Sequence, residues 1–370
     1  MTIAVPFIDL VADWQPLREE VLARVARLFE HGQFIMGPEV VELQRRLESD
    51  VGVAHALTCS SGTMALQLAL MALDIGPGDE VIVPAFTFAA PIEAVLLQGA
   101  TPVLADIQAD TLNLDVESCA RLIGPRTRAI IAVSLFGQPA DFDALNSLAR
   151  QHGLRVIEDA AQSYGATLHG HRSGSLADIG CTSFFPTKPF GGAGEGGALF
   201  TQDEQLAQRI REARDHGQSA KYLHSSVGTN GRLDALSCCA LLVALQRLPE
   251  QLALRQAVAC RYDQGLAAAG GHLRRQVMLA GASSVYAQYG ILVDGRERLA
   301  EHLRAAGVQV AVHYPIPAHQ QPAFAERCRF EALPNAEQAS RQVLCLPLYP
   351  TLGETAQQHV IDVLLKGLPA

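Results

Sequence analysis

Between residues 79 and 160, short apolar runs alternate regularly with amphipathic stretches. The runs at 80–83, 102–105, 129–135 and 155–157 are almost free of polar side chains, as strands covered on both faces are. Between them, 91–97 and 142–152 carry apolar residues at helical spacing. This alternation predicts an α/β fold with a mostly parallel central sheet flanked by helices. Ligands on such sheets lie beyond the carboxyl ends of the strands. Three groups fall there: Phe86 to Phe88, Phe136-Gly137-Gln138, and Glu158-Asp159-Ala160-Ala161-Gln162.

The flanks extend the pattern. Leu17, Val21, Val25 and Leu28 predict one helix, and Gly37-Pro38 opens a second through Leu43 and Leu47. Ser60, Ser61, Gly62 and Thr63 precede an almost wholly apolar run to Leu70, which predicts a buried helix. Its first turn is either an anion site or a plain hydroxyl cap. A long apolar helix is predicted from Asp234 through 249. The pattern then restarts with a helix at 253–266, a strand at 289–293, a helix at 296–306 and a strand at 309–312. Residues 1–250 thus read as a large domain and 251–370 as a smaller C-terminal α/β domain.

Composition narrows the function. A chain of 370 residues with 49% hydrophobic and 18% charged residues can bury a large core. A net charge of −9 argues against binding to nucleic acid or to a membrane surface. Residues 81–105 contain one charge, Glu93, but Pro84, Pro91, Gly99 and Pro102 divide them, which argues against a membrane span. The eight cysteines include no C-x-x-C pair, which predicts reduced, mostly buried thiols. The first ten residues lack the basic start of a signal peptide, so a cytoplasmic location is expected.

The chemistry centres on Lys188, in the run Ser183-Phe-Phe-Pro-Thr-Lys188-Pro-Phe-Gly-Gly. Only three lysines occur among 29 basic residues. A surface cation can equally be arginine, but a Schiff-base amine must be lysine, because a guanidinium stays protonated. Gly192, Gly194 and Gly197 also fit G-x-G-x-x-G. That fingerprint requires a strand before it and a helix after it. Here a predicted strand (198–201) follows, so the match is rejected. Asp159 ends a buried strand, where an unpaired carboxylate is costly. A metal would need further ligands nearby and a helix cap is possible, but a protonated pyridine nitrogen accounts for Asp159 and Lys188 together. Asn230-Gly231 predicts a turn carrying polar groups to an interface or site.

Ser61-Gly62-Thr63, Phe136-Gly-Gln-Pro-Ala-Asp141, Glu158-Asp-Ala-Ala-Gln-Ser163, Ser183-Phe-Phe-Pro-Thr-Lys188 and Asn230-Gly-Arg-Leu-Asp234 together resemble the DegT/DnrJ/EryC1/StrS family of sugar aminotransferases, of fold type I. Gly32-Gln-Phe-Ile-Met-Gly-Pro-Glu39 and Ala311-Val-His-Tyr-Pro-Ile-Pro317 are most similar to the subgroup acting on UDP-2-acetamido-2-deoxy-3-oxo-glucuronate, in lipopolysaccharide and O-antigen sugar biosynthesis. The resemblance implies pyridoxal 5'-phosphate as cofactor, L-glutamate (giving 2-oxoglutarate) as amino donor, and a nucleotide-linked keto sugar as acceptor. It implies that Lys188 forms the Schiff base and moves the proton, and that Asp159 pairs with the ring nitrogen. Gln162 would lie near the ring, Phe88 would stack on it, and Ser61, Gly62, Thr63 and Ser183 would hold the phosphate. Asn230 would reach the phosphate from the other subunit of a homodimer, and Arg232, His313 and Tyr314 would face the sugar. Family members that act as sugar 3-dehydratases have histidine in place of the lysine, so Lys188 counts against that reading; a regulatory protein without turnover is a further alternative. Departures from the family pattern are Met64, Phe136, Gly231 and Gly192-Ala193-Gly194-Glu195.

Overall fold

The computed structural model describes residues 4–368. An eight-stranded sheet organises the larger part of the chain. Its strands are β1 (His55–Cys59), β2 (Glu80–Pro84), β3 (Thr101–Ala105), β4 (Thr127–Val133), β5 (Arg155–Asp159), β6 (Ile179–Ser183), β7 (Gly197–Thr201) and β8 (Arg329–Phe330). They lie in the order β1-β7-β6-β5-β4-β2-β3-β8. From β6 to β8 every pairing is parallel. Only β7 runs against its neighbours, β1 and β6. The expected α/β architecture is therefore present.

The helices between the strands cover both faces. Gly62–Ala72 and Ala90–Leu97 pack on one side, around Leu66, Leu70, Ile92 and Val95. Phe142–His152 packs on the other through Phe142, Leu145 and Leu148. Its ends follow from the sequence: the Asp141 carboxylate caps the Ala144 N–H, and Gly153 closes it in the left-handed region at φ 66°. Residues 81–105 resolve into strand, helix and strand. Among the described residues no helix is long and apolar enough to cross a membrane.

A second, smaller core surrounds an antiparallel sheet of Leu273–Arg275, Tyr289–Val293 and Val343–Leu346, with helices Arg296–Ala305 and Glu354–Gly367. Two expectations differ here. Residues 309–312 form no strand; Ala311 makes a single bridge with Cys345 before the chain turns towards the site. The helices expected at 234–249 and 253–266 are one helix, Ala235–Gly265, with Pro249 inside it. Proline removes one helical hydrogen bond. Burial of Leu248 on one side of it, and of Val258 and Tyr262 on the other, keeps the helix continuous. This helix enters both cores, and the division drawn at residue 250 falls within it. All eight cysteines are free, six of them buried.

Candidate active site

A cavity of about 650 Å³ opens at the carboxyl ends of β2, β4, β5 and β6. The start of helix Gly62–Ala72 forms one wall, and Gln288, Ala311, His313 and Tyr314, from the C-terminal part of the chain, close it. Of the residues singled out in the sequence, Ser61, Gly62, Thr63, Phe88, Asp159, Gln162, Ser183, Lys188, His313 and Tyr314 all line it. Asn230 and Arg232 do not.

Lys188 is carried by the hairpin between β6 and β7. Phe184 and Phe190 are buried against each other at 5.0 Å, edge to face, and fix the ends of the loop. The Lys188 N–H donates to the Phe185 carbonyl at 2.9 Å, and that of Gly192 to the Phe184 carbonyl at 2.7 Å. The loop closes so tightly that a Cβ on Gly191 would lie 2.5 Å from the Pro186 carbonyl oxygen. Gly192 and Gly194 belong to this hairpin and Gly197 begins β7. No helix follows, so the dinucleotide reading stays rejected.

Asp159 is 7% exposed at the end of β5, with one carboxylate oxygen accepting the Ala161 N–H at 3.0 Å. Burial raises its pKa, opposed by that hydrogen bond and by Lys188. Burial lowers the pKa of Lys188, and Asp159 opposes that shift. Burial and then the Lys188 charge lower that of His313, favouring neutral imidazole. The Gln162 amide has a fixed orientation. Its oxygen accepts the Phe136 N–H at 2.8 Å, and its nitrogen donates to the Tyr314 hydroxyl at 3.2 Å. Burial pushes the Tyr314 phenol well above its ordinary range. Phe88 is 54% exposed, with its ring 6.1 Å from that of Tyr314.

The start of helix Gly62–Ala72 suits an anion. The first N–H groups of a helix have no acceptor within it. The Ser61 hydroxyl takes that of Met64 at 3.0 Å, which leaves those of Gly62 and Thr63 for a ligand. Here the helix presses on β6: a Cβ on Gly62 would meet the Ser183 Cβ at 2.6 Å. Thr87 lines the cavity, and its buried hydroxyl has no hydrogen-bond partner among the described residues. Thr87, Glu195 and Gln288 line the cavity although the sequence reading gave them no role. Thr87 lies within the group 86–88 that was placed at the end of β2. Glu195 was visible only as a departure from a family pattern.

A lysine, a buried carboxylate and a helix N-terminus in one cavity fit a pyridoxal phosphate enzyme of fold type I. Comparison with known proteins makes this specific. Residues 15–365 match the DegT/DnrJ/EryC1/StrS aminotransferase family. The UDP-2-acetamido-2-deoxy-3-oxo-D-glucuronate aminotransferase of Pseudomonas aeruginosa is 48% identical over 357 residues, 96% of this chain and 98% of that protein. The dTDP-3-amino-3,4,6-trideoxy-alpha-D-glucose transaminase of Streptomyces venezuelae is 41% identical, covering 97% of this chain and 94% of that one. The crystal structure of S. venezuelae DesV in complex with a ketimine intermediate superposes with a TM-score of 0.95 at 40% identity, covering 99% and 98%. The chain belongs to the DegT/DnrJ/EryC1/StrS aminotransferase family and is a pyridoxal phosphate-dependent sugar aminotransferase.

Proposed function

We propose that the chain transfers the amino group of L-glutamate to the keto carbon of UDP-2-acetamido-2-deoxy-3-oxo-glucuronate, in the cytoplasm, for lipopolysaccharide sugar biosynthesis. The transaminase part rests on one observation: Lys188 and Asp159 share a cavity with a helix N-terminus. The choice of sugar rests on the likeness to the Pseudomonas aeruginosa enzyme.

Pyridoxal phosphate supplies the electron sink when bound. The rest of the work belongs to the chain. Lys188, its pKa lowered by burial, spends more time as the neutral amine that can attack a carbonyl and carry a proton. Asp159 is costly as a bare buried anion, and a protonated ring nitrogen offsets that cost. Gln162, held by Phe136 and Tyr314, would lie beside the ring, and Phe88 would stack on it. The N–H groups of Gly62 and Thr63, with the hydroxyls of Ser61, Thr63 and Ser183, would hold the phosphate.

A homodimer completes the site in this reading. Among the described residues lining the cavity Lys188 is the one lysine or arginine, while the phosphate, glutamate and uronate bring several negative charges. Asn230 and Arg232 lie outside their own chain's cavity, where Arg232 pairs with Asp215. Their loop adjoins exposed apolar residues: Phe34 (44% exposed) and Ile35 (56%) pair through their backbones with Ala235 and Asp234. Such a patch suits a second copy, bringing Asn230 to the phosphate and Arg232 to the sugar carboxylate, with His313 and Tyr314 on the other side of the sugar.

The test is product analysis with UDP- and dTDP-linked 3-keto and 4-keto sugars, with and without the uronate carboxylate, and with glutamate as donor. Amination of the UDP-3-oxo-uronate ahead of the others is expected. Preference for a neutral dTDP sugar, as the name of the 41% identical relative suggests for that protein, would overturn the choice of substrate.

A further inference from the structure

Glu158 is fully buried, and the mechanism above gives it no part. Neighbouring residues of a strand face opposite sides, so Asp159 turns to the cavity and Glu158 away from it. Among the described residues no lysine, arginine or histidine acts on the Glu158 carboxyl. Its oxygens are satisfied by short neutral donors instead. The Ser173 hydroxyl donates to one at 2.6 Å, and the N–H groups of Gly174 and Leu176 donate to the other at 2.8 and 3.1 Å. Burial pushes its carboxyl up to about 7, and these donors pull against that shift.

The network continues towards the site. The Ser173 hydroxyl that donates to Glu158 also lies 2.6 Å from the Ser163 hydroxyl, with which it shares a second hydrogen bond. Ser163 closes the turn that follows β5: its N–H donates to the Ala160 carbonyl at 3.1 Å, while that of Ala161 donates to Asp159. Gln162 is the residue before Ser163. The turn presents Asp159 and Gln162 at its front and is tied at its back to Glu158.

We propose that Glu158, acting through Ser173 and Ser163, is a positioning residue that holds Asp159 and Gln162 in register with the cofactor. This rests on the assignment of Asp159 to the ring nitrogen. A carboxylate is suited to the task because it accepts three hydrogen bonds at once and orders a loop of some distance along the chain.

The test measures cofactor affinity and the pH titration of the bound cofactor's visible absorbance, in the parent and in the Ser173→Ala, Glu158→Ala, Glu158→Gln and Asp159→Asn enzymes. Ser173→Ala is expected to weaken cofactor binding roughly tenfold, as loss of one hydrogen bond to a charged acceptor should, and to move the titration. Glu158→Ala should do at least as much if it folds. Glu158→Gln should stay close to the parent, since its oxygen can accept both N–H groups while its nitrogen donates to Ser173. A folded Ser173→Ala enzyme with unchanged affinity and titration, losing only thermal stability, would overturn the proposal. If Asp159→Asn moves the titration in that case, the proposal falls alone; if Asp159→Asn also leaves it unmoved, the assignment of Asp159 falls with it.

Discussion

Gly62→Ala tests the phosphate end of the site. The added methyl would lie 2.6 Å from the Ser183 Cβ and 3.2 Å from its Cα. Carbon atoms pack at about 3.5 Å or more, so the helix start and the end of β6 must separate by about 1 Å. Overpacking of this kind costs about 1–3 kcal/mol, against a gain of at most about 1 kcal/mol from replacing glycine in a helix. Stability should therefore fall only modestly. Cofactor binding should suffer more, because the N–H groups of Gly62 and Thr63 shift from the position of the phosphate. Loss of two charge-assisted hydrogen bonds, at about 1.5 kcal/mol each, weakens binding roughly a hundredfold. The assay is absorbance titration of the apoprotein with pyridoxal phosphate, with the thermal midpoint measured separately. Ser183→Gly removes the Cβ that the methyl meets, so the double variant should regain part of the affinity. A Gly62→Ala protein that binds cofactor as the parent does would refute this placement of the phosphate.

Asp159→Asn should lower kcat roughly 10²–10³-fold, the scale of removing one preorganised electrostatic contact, with the donor half-reaction followed by stopped-flow absorbance. The Glu158 carboxyl is raised from 4.5 to about 7 in the folded chain, so its stabilising contribution is full below 4.5 and is lost as pH rises through about 7. Glu158→Gln should therefore flatten the fall of the apoprotein's thermal midpoint across that window; an unchanged slope would assign the fall to other groups. Arg232→Ala should cut kcat/KM for the uronate sugar roughly tenfold or more while sparing the neutral analogue, as loss of a bidentate carboxylate contact does. An unchanged ratio between the two sugars would remove Arg232 from substrate selection.

The parts of the fold that could be read from the sequence are those where one local rule acts alone. Strands buried on both faces between residues 79 and 160 have a nearly all-apolar composition, and Phe142–His152 carries its own cap at Asp141 and its own stop at Gly153. The two helices expected at 234–249 and 253–266 are one because the break at Pro249 is a local tendency, whereas the burial of Leu248 and Val258 that outweighs it is tertiary. Residues 309–312 look like a strand for the opposite reason: the apolar character of Val310, Ala311 and Val312 serves packing, and their backbone partners are scattered, Val5 for Gln309 and Cys345 for Ala311. Lys188 and Asp159 stood out because their chemistry admits few substitutes. Gln288 did not, since its bearing on the cavity arises where the C-terminal part of the chain meets the large sheet. The network behind Asp159 was equally hidden, because serine at 163 and 173 is ordinary in a loop until the fold brings both to Glu158.

The central claim is that Lys188 is the residue joined to the cofactor. Reduction of the holoenzyme with borohydride, followed by proteolysis and mass analysis, tests it most directly. The reduced cofactor is expected on the peptide containing Lys188 and on no other. Its recovery on Lys221 or Lys366, or a failure to trap any cofactor, would contradict the assignment of this site.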